Sequence, residues 1–216
     1  MVILGLTGSI GMGKSTAAVL LRRLGVAVHD ADRAVHRLLA WGGAAVPAIA
    51  AQFGAGVIRD GAVNRPRLGA LVFQDATALT RLESIIHPLV RKAERRFLAT
   101  AARRRTRVVA LDVPLLLETG GERRVDAVIV VTAPGFIQRQ RVLARPGMTA
   151  AKLDSILERQ LPDRIKRDRA DFVVQTGLGK GHALHSLAAI VKLMRDPSRL
   201  RKSHARNRFR YRDHRL

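Results

Sequence analysis

One glycine-rich segment near the start of the chain constrains the fold more than any other feature. Residues 8–15 have the sequence GSIGMGKS, which matches the phosphate-binding loop pattern G-x-x-x-x-G-K-[ST]. Its glycines permit tight turns in which consecutive backbone N–H groups surround one anion. Residues 2–6 are apolar, as expected of a buried strand, and the leucine-rich residues 17–24 indicate a helix. Strand, loop and helix in this order predict a nucleotide-binding P-loop instead of a structural glycine turn.

The P-loop assigns roles to individual residues. Lys14 is expected to reach the β- and γ-phosphates of a nucleotide, and the Ser15 hydroxyl is expected to coordinate Mg²⁺. The residues expected to hold the nucleotide are Gly8, Gly11, Met12, Gly13, Lys14, Ser15 and Thr16.

Apolar runs and helical stripes alternate along the rest of the chain. Further strands are predicted at residues 26–29, 108–112, 126–132 and 171–174. The run at 126–132 is largely apolar, which is typical of a strand covered on both faces. The alternation predicts an α/β fold of the P-loop kinase type, a five-stranded parallel sheet flanked by helices, with ligands at the carboxyl ends of the strands.

A long insertion separates the second and third strands. It is predicted to contain only helices and one hairpin at residues 57–63, which turns at Asp60-Gly61. Because an insertion of about 75 residues is too long for a connection, residues of about 33–105 are expected to form a mostly helical substrate lobe.

Local breaks in the apolar pattern set the remaining boundaries. A helix of the lobe is expected to break at His87-Pro88, since proline disfavours helix in the residue before it.

A short helical lid is expected at about residues 141–168. Residues 1–196 would then form a single kinase domain. Residues 197–216, with eight basic residues and one acidic residue, are expected to be a disordered tail.

The chain is strongly basic. Its 216 residues include 39 Lys and Arg against 17 Asp and Glu, which gives a formal net charge of +22. Such a surplus favours polyanionic partners, a class that includes nucleotides, coenzymes and nucleic acids. An alanine- and arginine-rich bias can also arise from codon composition, so charge by itself does not predict specific binding of nucleic acid.

Missing features exclude several classes of protein. The chain has no cysteine, which excludes disulfides and thiolate metal sites. No apolar run approaches the roughly 18 residues of a membrane span, so a cytoplasmic protein without a membrane partner is expected. A guanine-specific GTPase would carry Asn-Lys-x-Asp, but neither Asn64 nor Asn207 is followed by lysine. A single P-loop with a long insertion after the second strand suits a small-molecule kinase.

A series of motifs follows the P-loop as far as about residue 194. They are Asp30-Ala31-Asp32, Gly61 with Arg65, Leu68, Gly69 and Phe73, His87-Pro88-Leu89, Pro114-Leu115-Leu116 with Glu118, Gln138, Arg141, Arg145, Arg159-Gln160, Lys166 and Ala170-Asp171. In order and spacing this series resembles the dephospho-CoA kinase family, and the His-Pro-Leu and Pro-Leu-Leu-x-Glu motifs are its most specific parts. Departures from the family pattern occur at Ser9, usually a glycine, at Pro146-Gly147, and at Gln175-Thr176, where Asp-Asn is usual.

The resemblance implies a reaction and its catalytic residues. The reaction is ATP-dependent phosphorylation of the ribose 3′-hydroxyl of dephospho-CoA to give coenzyme A, the last step of coenzyme A biosynthesis. Lys14 and the lid arginines Arg141 and Arg145 would supply positive charge to the transferring phosphate. Asp32 would accept a hydrogen bond from the 3′-hydroxyl. Asp30 is two residues away in an extended segment, where both side chains point to the same side, and it would support the loop or the water shell of the metal.

The resemblance also implies binding residues. Mg²⁺ would be held by Ser15 and, through a water molecule, by Asp112. The residues expected to bind the dephospho-CoA substrate are Thr7, Asp32, Arg65, His87, Pro88, Pro114, Leu115, Leu116 and Glu118.

Structural alternatives stay open for several of these residues. Asp32 could instead cap the helix that follows it, and Asp112 could only end a strand. His87 could be a buried histidine before a helix break. Trp41, which precedes two glycines, either lines the coenzyme groove or plugs the lobe.

Alternative functions also stay open. The chain could phosphorylate another small metabolite or a nucleoside monophosphate, or it could be a nucleic-acid-binding P-loop ATPase. A monomer or a weak homo-oligomer is expected.

Overall fold

The strands form one main sheet and one small hairpin. The computed structural model describes residues 1–196. Its strands are β1 (Val2–Thr7), β2 (Ala27–Asp30), β3 (Ile58–Arg59), β4 (Ala62–Val63), β5 (Val108–Asp112), β6 (Ala127–Thr132) and β7 (Phe172–Gln175). The main sheet has the order β2-β5-β1-β6-β7, and β1 pairs in parallel with both β5 and β6, as β6 does with β7. The predicted α/β fold with a five-stranded parallel sheet is confirmed.

Helices connect and cover the strands. They are α1 (Lys14–Arg23), α2 (Ala31–Leu39), α3 (Val46–Phe53), α4 (Arg65–Gln74), α5 (Ala76–Arg103), α6 (Gly135–Leu143), α7 (Ala150–Glu158), α8 (Asp163–Arg169) and α9 (Lys180–Met194). Short 3₁₀ turns occupy Ala55–Val57 and Gly121–Arg124. None of the helices within residues 1–196 is long and apolar enough to cross a membrane.

Buried apolar side chains cover both faces of the main sheet. Every residue of β5 and β6 is buried, which explains why their sequences are apolar runs without alternation. On one face Ile129 packs in the same cluster as Leu21 of α1 and Leu187 of α9. On the other face Val128 and Val130 pack with residues that follow β5. The sheet therefore forms a rigid base for the loops at the carboxyl ends of its strands.

The chain divides into two compact units. Unit 1 comprises Met1–His29 and the described residues from Ala101 onward, and it contains the main sheet. Unit 2 comprises Asp30–Thr100 and has a core of its own around Leu39, Ile49 and Leu68.

The hairpin of unit 2 turns where the sequence predicts. Asp60 and Gly61 between β3 and β4 have φ values of 51° and 73°. Two successive residues with positive φ are typical of a type I′ turn, whose twist matches that of the paired strands. The hairpin predicted at residues 57–63 is therefore confirmed, and it fixes the start of α4, which Asn64 caps.

The predicted helix break at His87-Pro88 is wrong. Helix α5 runs without interruption from Ala76 to Arg103 with Pro88 inside it. Apolar residues on both sides of Pro88 pack on the core of unit 2, namely Leu82, Ile85, Ile86 and Leu89. This burial favours the helix on both sides and outweighs the local preference of the residue before proline.

Asp75 holds the start of α5. Its Oδ1 accepts hydrogen bonds from the hydroxyl and the backbone N–H of Thr77. These bonds, that of the Thr77 hydroxyl first, lower the pKa of the Asp75 carboxyl below its ordinary value.

The segment of the predicted lid, residues 141–168, contains the end of α6, all of α7 and most of α8. The sequence interpretation did not identify α8, which begins after Pro162 and has Asp163 in its first turn. The predicted disordered tail, residues 197–216, lies outside the described residues.

Candidate active site

The P-loop connects the carboxyl end of β1 to the start of α1. Gly11 and Gly13 have φ values of 77° and 88°, a region that favours glycine, and a Cβ on Gly13 would lie only 2.9 Å from Thr176 Oγ1. Gly13 occupies the N-cap position of α1, and no side chain of the described residues caps this helix. The first N–H groups of α1 and the positive end of its dipole are therefore available to an anion.

Lys14 and Asp112 form the charged pair of the site. Lys14 Nζ lies 2.7 Å from Asp112 Oδ1, and the two side chains are 16% and 4% exposed. The pair is possible because β5 lies next to β1, with Asp112 in register with Leu6 at the carboxyl end of the sheet. Asp112 does end a strand, as the structural alternative stated, but its carboxylate also faces the P-loop lysine.

The donor set suits Mg²⁺. Ser15 is exposed in the first turn of α1, one residue after Lys14, and Asp112 supplies a carboxylate oxygen to the same region. Within residues 1–196 no group of three or more His, Cys, Asp or Glu is placed to hold a metal. Mg²⁺ does not require such a group, because it usually keeps water ligands and binds through one or two carboxylates and the phosphates of the substrate.

Two glutamines outside the P-loop hold its backbone. Gln138 Nε2 of α6 donates to the Ile10 carbonyl at 2.8 Å, and Gln160 Oε1 accepts from the Ile10 N–H at 3.1 Å. Met12 adds a third contact, because its buried Sδ accepts from the N–H of Ala133 at 3.1 Å. The predicted nucleotide contact of Met12 therefore falls to its backbone, since its side chain packs in the core.

Thr176, which the sequence interpretation treated only as a departure, is a central contact of the loop. Its Oγ1 donates to the Met12 carbonyl at 2.7 Å and accepts from Arg141 Nη1 at 3.0 Å. Thr176 is buried just after β7, so a polar residue at the carboxyl end of a strand was the available sequence signal.

Arg141 lies against the outside of the P-loop. Its guanidinium donates to the Thr176 hydroxyl, to the Thr176 carbonyl at 2.9 Å and to the Gly11 carbonyl at 3.4 Å. These bonds use three of the five N–H groups of the guanidinium, so the predicted contact with the transferring phosphate stays a prediction. Arg145, in contrast, has an exposed side chain just after α6.

The segment after β5 packs against the sheet. Thr7 is fully buried, and its hydroxyl donates to the Pro114 carbonyl at 2.8 Å. Leu116 is also fully buried, under Gly5, where a Cβ would lie 2.5 Å from Leu116 Cδ2. The side chains of Thr7 and Leu116 are therefore packed in the interior, and their contacts with substrate stay predictions. Leu115 is 41% exposed and stays a candidate contact.

Glu118 joins the segment after β5 to α8. Its Oε1 lies 2.8 Å from Nζ of Lys166, which is fully buried, and accepts a hydrogen bond from the N–H of Leu161 at 3.0 Å. Oε2 has no hydrogen-bond partner among residues 1–196, and the Lys166 contact is charge pairing without a well-directed hydrogen bond. Glu118 therefore links the segment after β5 to α8, and its contact with substrate stays a prediction.

Unit 2 contains the predicted acceptor acid. Asp30 occupies the N-cap of α2 and accepts from the N–H of Arg33 at 2.9 Å, whereas Asp32 lies exposed in the first turn. The alternative that Asp32 is the cap is therefore wrong. The expectation that both residues lie in one extended segment with their side chains on the same side is also wrong, because the helix begins at Ala31, directly after its N-cap Asp30.

The other predicted substrate residues of unit 2 are exposed. Arg65 begins α4, with Nη1 3.4 Å from Nδ1 of His36 on α2. His87 and Pro88 lie on the exposed side of α5. The alternative of a buried His87 is therefore excluded.

The comparisons with known proteins agree with one another. A family model described as dephospho-CoA kinase matches residues 2–179. A dephospho-CoA kinase of Paramagnetospirillum magneticum is 65% identical over 195 residues, which cover 90% of this chain and 92% of that protein. The dephospho-CoA kinase of Rhodospirillum rubrum is 58% identical over 194 residues, 89% and 92% of the two chains. Among solved structures, TT1252 from Thermus thermophilus has a TM-score of 0.77 at 34% identity and covers 88% of this chain and 96% of its own.

Proposed function

Since this chain belongs to the dephospho-CoA kinase family, we propose that it transfers the γ-phosphoryl group of ATP to the ribose 3′-hydroxyl of dephospho-CoA and releases coenzyme A and ADP. One observation supports the assignment of phosphate binding to unit 1. The P-loop lies at the carboxyl end of β1, and its Lys14 is paired with Asp112 at 2.7 Å. This pair puts a cation and a carboxylate at the start of α1, whose first N–H groups are available to bind an anion.

Charge neutralisation is the main task of unit 1. Phosphoryl transfer has a loose transition state, in which negative charge spreads over the γ-phosphate oxygens. The P-loop N–H groups and Lys14 bind the β- and γ-phosphates, and Arg145 adds charge from the end of α6. Mg²⁺, held by Ser15 and through water by Asp112, would neutralise charge on the same phosphates. Because Arg141 donates to Thr176 and Gly11, we propose that it also positions the loop, in addition to the charge that it supplies to the transferring phosphate.

Orientation of the acceptor is the task of unit 2. Asp32 accepts a hydrogen bond from the 3′-hydroxyl and takes its proton as the oxygen attacks the γ-phosphorus. The bond from that phosphorus to the β,γ-bridging oxygen breaks, and the electron pair leaves with ADP. The exposure of Asp32 and the use of Asp30 as the helix cap support this division of roles.

A comparison of acceptors tests the proposal. Purified protein with ATP and Mg²⁺ is given dephospho-CoA, AMP or another nucleoside monophosphate, or DNA or RNA, and both ADP and phosphorylated acceptor are measured. Dephospho-CoA is expected to be converted to coenzyme A with one ADP per product. Phosphorylation of a nucleoside monophosphate alone, or ATP hydrolysis that only nucleic acid stimulates, would replace the proposed function with one of the alternatives.

The setting of the reaction is part of the same proposal. We expect a cytoplasmic enzyme that acts as a monomer or a weak homo-oligomer, without a specific nucleic-acid partner.

A further inference from the structure

The only tryptophan of the chain is held at the surface of unit 2. Trp41 is 81% exposed, so it does not plug the core of the lobe. The edge of its indole lies on the hairpin turn, where a Cβ on Gly61 would come within 2.7 Å of Cδ1 and 3.0 Å of Nε1. The Gly42 N–H donates to the Gly61 carbonyl at 3.3 Å and fixes the chain next to the ring. An exposed apolar ring in a fixed position suits contact with a ligand.

Trp41 follows the end of α2, two residues after Leu39. Asp32 is in the first turn of the helix, and His36, four residues later and about 6 Å along the axis, lies on the same side and is 3.4 Å from the Arg65 guanidinium. Arg65 follows the hairpin whose turn contacts Trp41 at Gly61. Contacts within unit 2 therefore connect an acid, an arginine–histidine pair and an aromatic ring.

The acceptor presents complementary groups in the same order. In dephospho-CoA the 3′-hydroxyl, the 5′-diphosphate and the pantetheine arm follow one another, and the adenine branches from the ribose that carries the hydroxyl. Arg65 complements the diphosphate. The adenine must stay near the ribose, so the part of the molecule that extends past the diphosphate is the arm, with its gem-dimethyl group and amides.

The hairpin that the indole contacts also forms part of an open cleft. An open cleft of about 740 Å³ is lined by residues of the hairpin and the start of α4, namely Arg59, Asp60, Ala62, Val63, Asn64, Arg65 and Pro66. Gly61, on which the indole lies, is between Asp60 and Ala62 in the same turn. The cleft therefore has two arginines and one aspartate in its lining and begins next to the glycine that contacts the ring.

The geometry points to Trp41 as the contact for the pantetheine arm of the acceptor, so that α2, α4 and the hairpin turn together set the register of the substrate: hydroxyl at Asp32, diphosphate at Arg65, arm at Trp41. This inference rests on the proposed function, since it takes dephospho-CoA as the acceptor. It makes Trp41 a determinant of specificity for acceptors that carry the arm over bare nucleotides.

Fluorescence of the single tryptophan tests the contact directly. The full-length protein is titrated with dephospho-CoA, with 4′-phosphopantetheine, with ADP and with ATP, and both emission and quenching by acrylamide are recorded. Dephospho-CoA and, at higher concentration, 4′-phosphopantetheine are expected to change the emission and to protect the indole from acrylamide. ADP carries the same adenosine and diphosphate without the arm, so ADP and ATP should leave both signals unchanged. An equal response to ADP would mean that Trp41 contacts the nucleotide part and would overturn the inference.

Kinetics of substituted proteins provide the second readout. Trp41→Ala is expected to raise KM for dephospho-CoA about tenfold, the loss of one aromatic contact, with KM for ATP unchanged. Trp41→Phe should recover most of this affinity. Leu71→Ala is the matched control, because Leu71 is a large apolar residue, 49% exposed on α4 of the same unit, and is not one of the three proposed contacts with the acceptor. Unchanged KM for dephospho-CoA in Trp41→Ala would overturn the inference.

Activity of the wild-type protein distinguishes failure of the proposed function from failure of the Trp41 assignment. If the wild-type protein does not phosphorylate dephospho-CoA, the proposed function itself fails. If it does, and neither the fluorescence nor the KM responds as expected, only the assignment of Trp41 fails.

Discussion

Lys14 is the residue on which the proposed phosphate chemistry depends most directly. We expect Lys14→Ala to lower kcat/KM for phosphoryl transfer by roughly 10³-fold or more, because a charge that the transition state requires is removed. Stability should also fall somewhat, since Asp112 is buried and loses its 2.7 Å cationic contact. Activity and melting temperature are measured together, with Lys192→Ala on the exposed side of α9 as the control. Near-normal turnover in folded Lys14→Ala protein would exclude the kinase mechanism.

Asp30 and Asp32 are expected to respond differently to substitution. Asp30→Ala should lower stability by about 1 kcal/mol, because the N-cap bond to Arg33 is lost, with a modest effect on kcat. Asp32→Asn should lower kcat by roughly 10²–10⁴-fold, because the amide cannot accept the proton of the 3′-hydroxyl. Its melting temperature should stay close to that of the wild type. Full activity of Asp32→Asn would show that its carboxylate has no part in the transfer step.

Thr176 gives a prediction about positioning. Thr176→Val keeps the shape of the side chain but removes the hydroxyl that bonds to Met12 and Arg141. We expect KM for ATP to rise about tenfold and the melting temperature to fall, since buried polar groups lose their partner. Thr176→Ser should behave like the wild type, and Thr80→Val, which removes an exposed hydroxyl of α5, is the control. A melting temperature that falls without any change in KM would reduce Thr176 to a purely structural residue.

At the scale of elements, the Glu118–Lys166 pair decides how α8 is attached. Lys166 is fully buried and Glu118 nearly so, so breaking the pair leaves an uncompensated charge. Glu118→Gln and Lys166→Met are each expected to lower the free energy of unfolding by roughly 3–5 kcal/mol. The double variant should lose less than the sum of the two, because both charges are then removed. Denaturant unfolding measures these quantities. If Glu118→Gln unfolds like the wild type but has a raised KM for dephospho-CoA, Glu118 contacts substrate as the resemblance implied.

At the scale of the molecule, the domain is expected to end with α9. The last helix packs on α1 through Leu187 and Met194, and the apolar pattern does not continue past Asp196. Truncation after Asp196 should therefore leave folding and phosphorylation of dephospho-CoA largely intact. It removes eight basic residues, so any binding of DNA or RNA should weaken and lose part of its salt dependence. Loss of activity on truncation would place residues beyond 196 inside the functional domain.

Local sequence patterns were sufficient to predict part of the fold. The P-loop is encoded within eight residues, and the hairpin turn within Asp60-Gly61, because φ > 0 at consecutive positions restricts the residue types directly. The buried strands β5 and β6 were predictable because strands covered on both faces need apolar residues throughout.

Only the tertiary structure decided the assignments that depend on distant residues. Thr176 bonds to Met12 across 164 positions, and Lys14 bonds to Asp112 across 98, so no local spacing reveals either contact. Helix α5 continues through Pro88 because burial in unit 2 on both sides of the proline outweighs its local cost. The pairing of Glu118 with the buried Lys166 could not be predicted locally, because a carboxylate in a motif has the same sequence whether it faces a ligand or a lysine 48 positions away. Sequence specifies which residue types are present and their local conformation, whereas burial and long-range pairing depend on packing, which brings distant parts of the chain into contact.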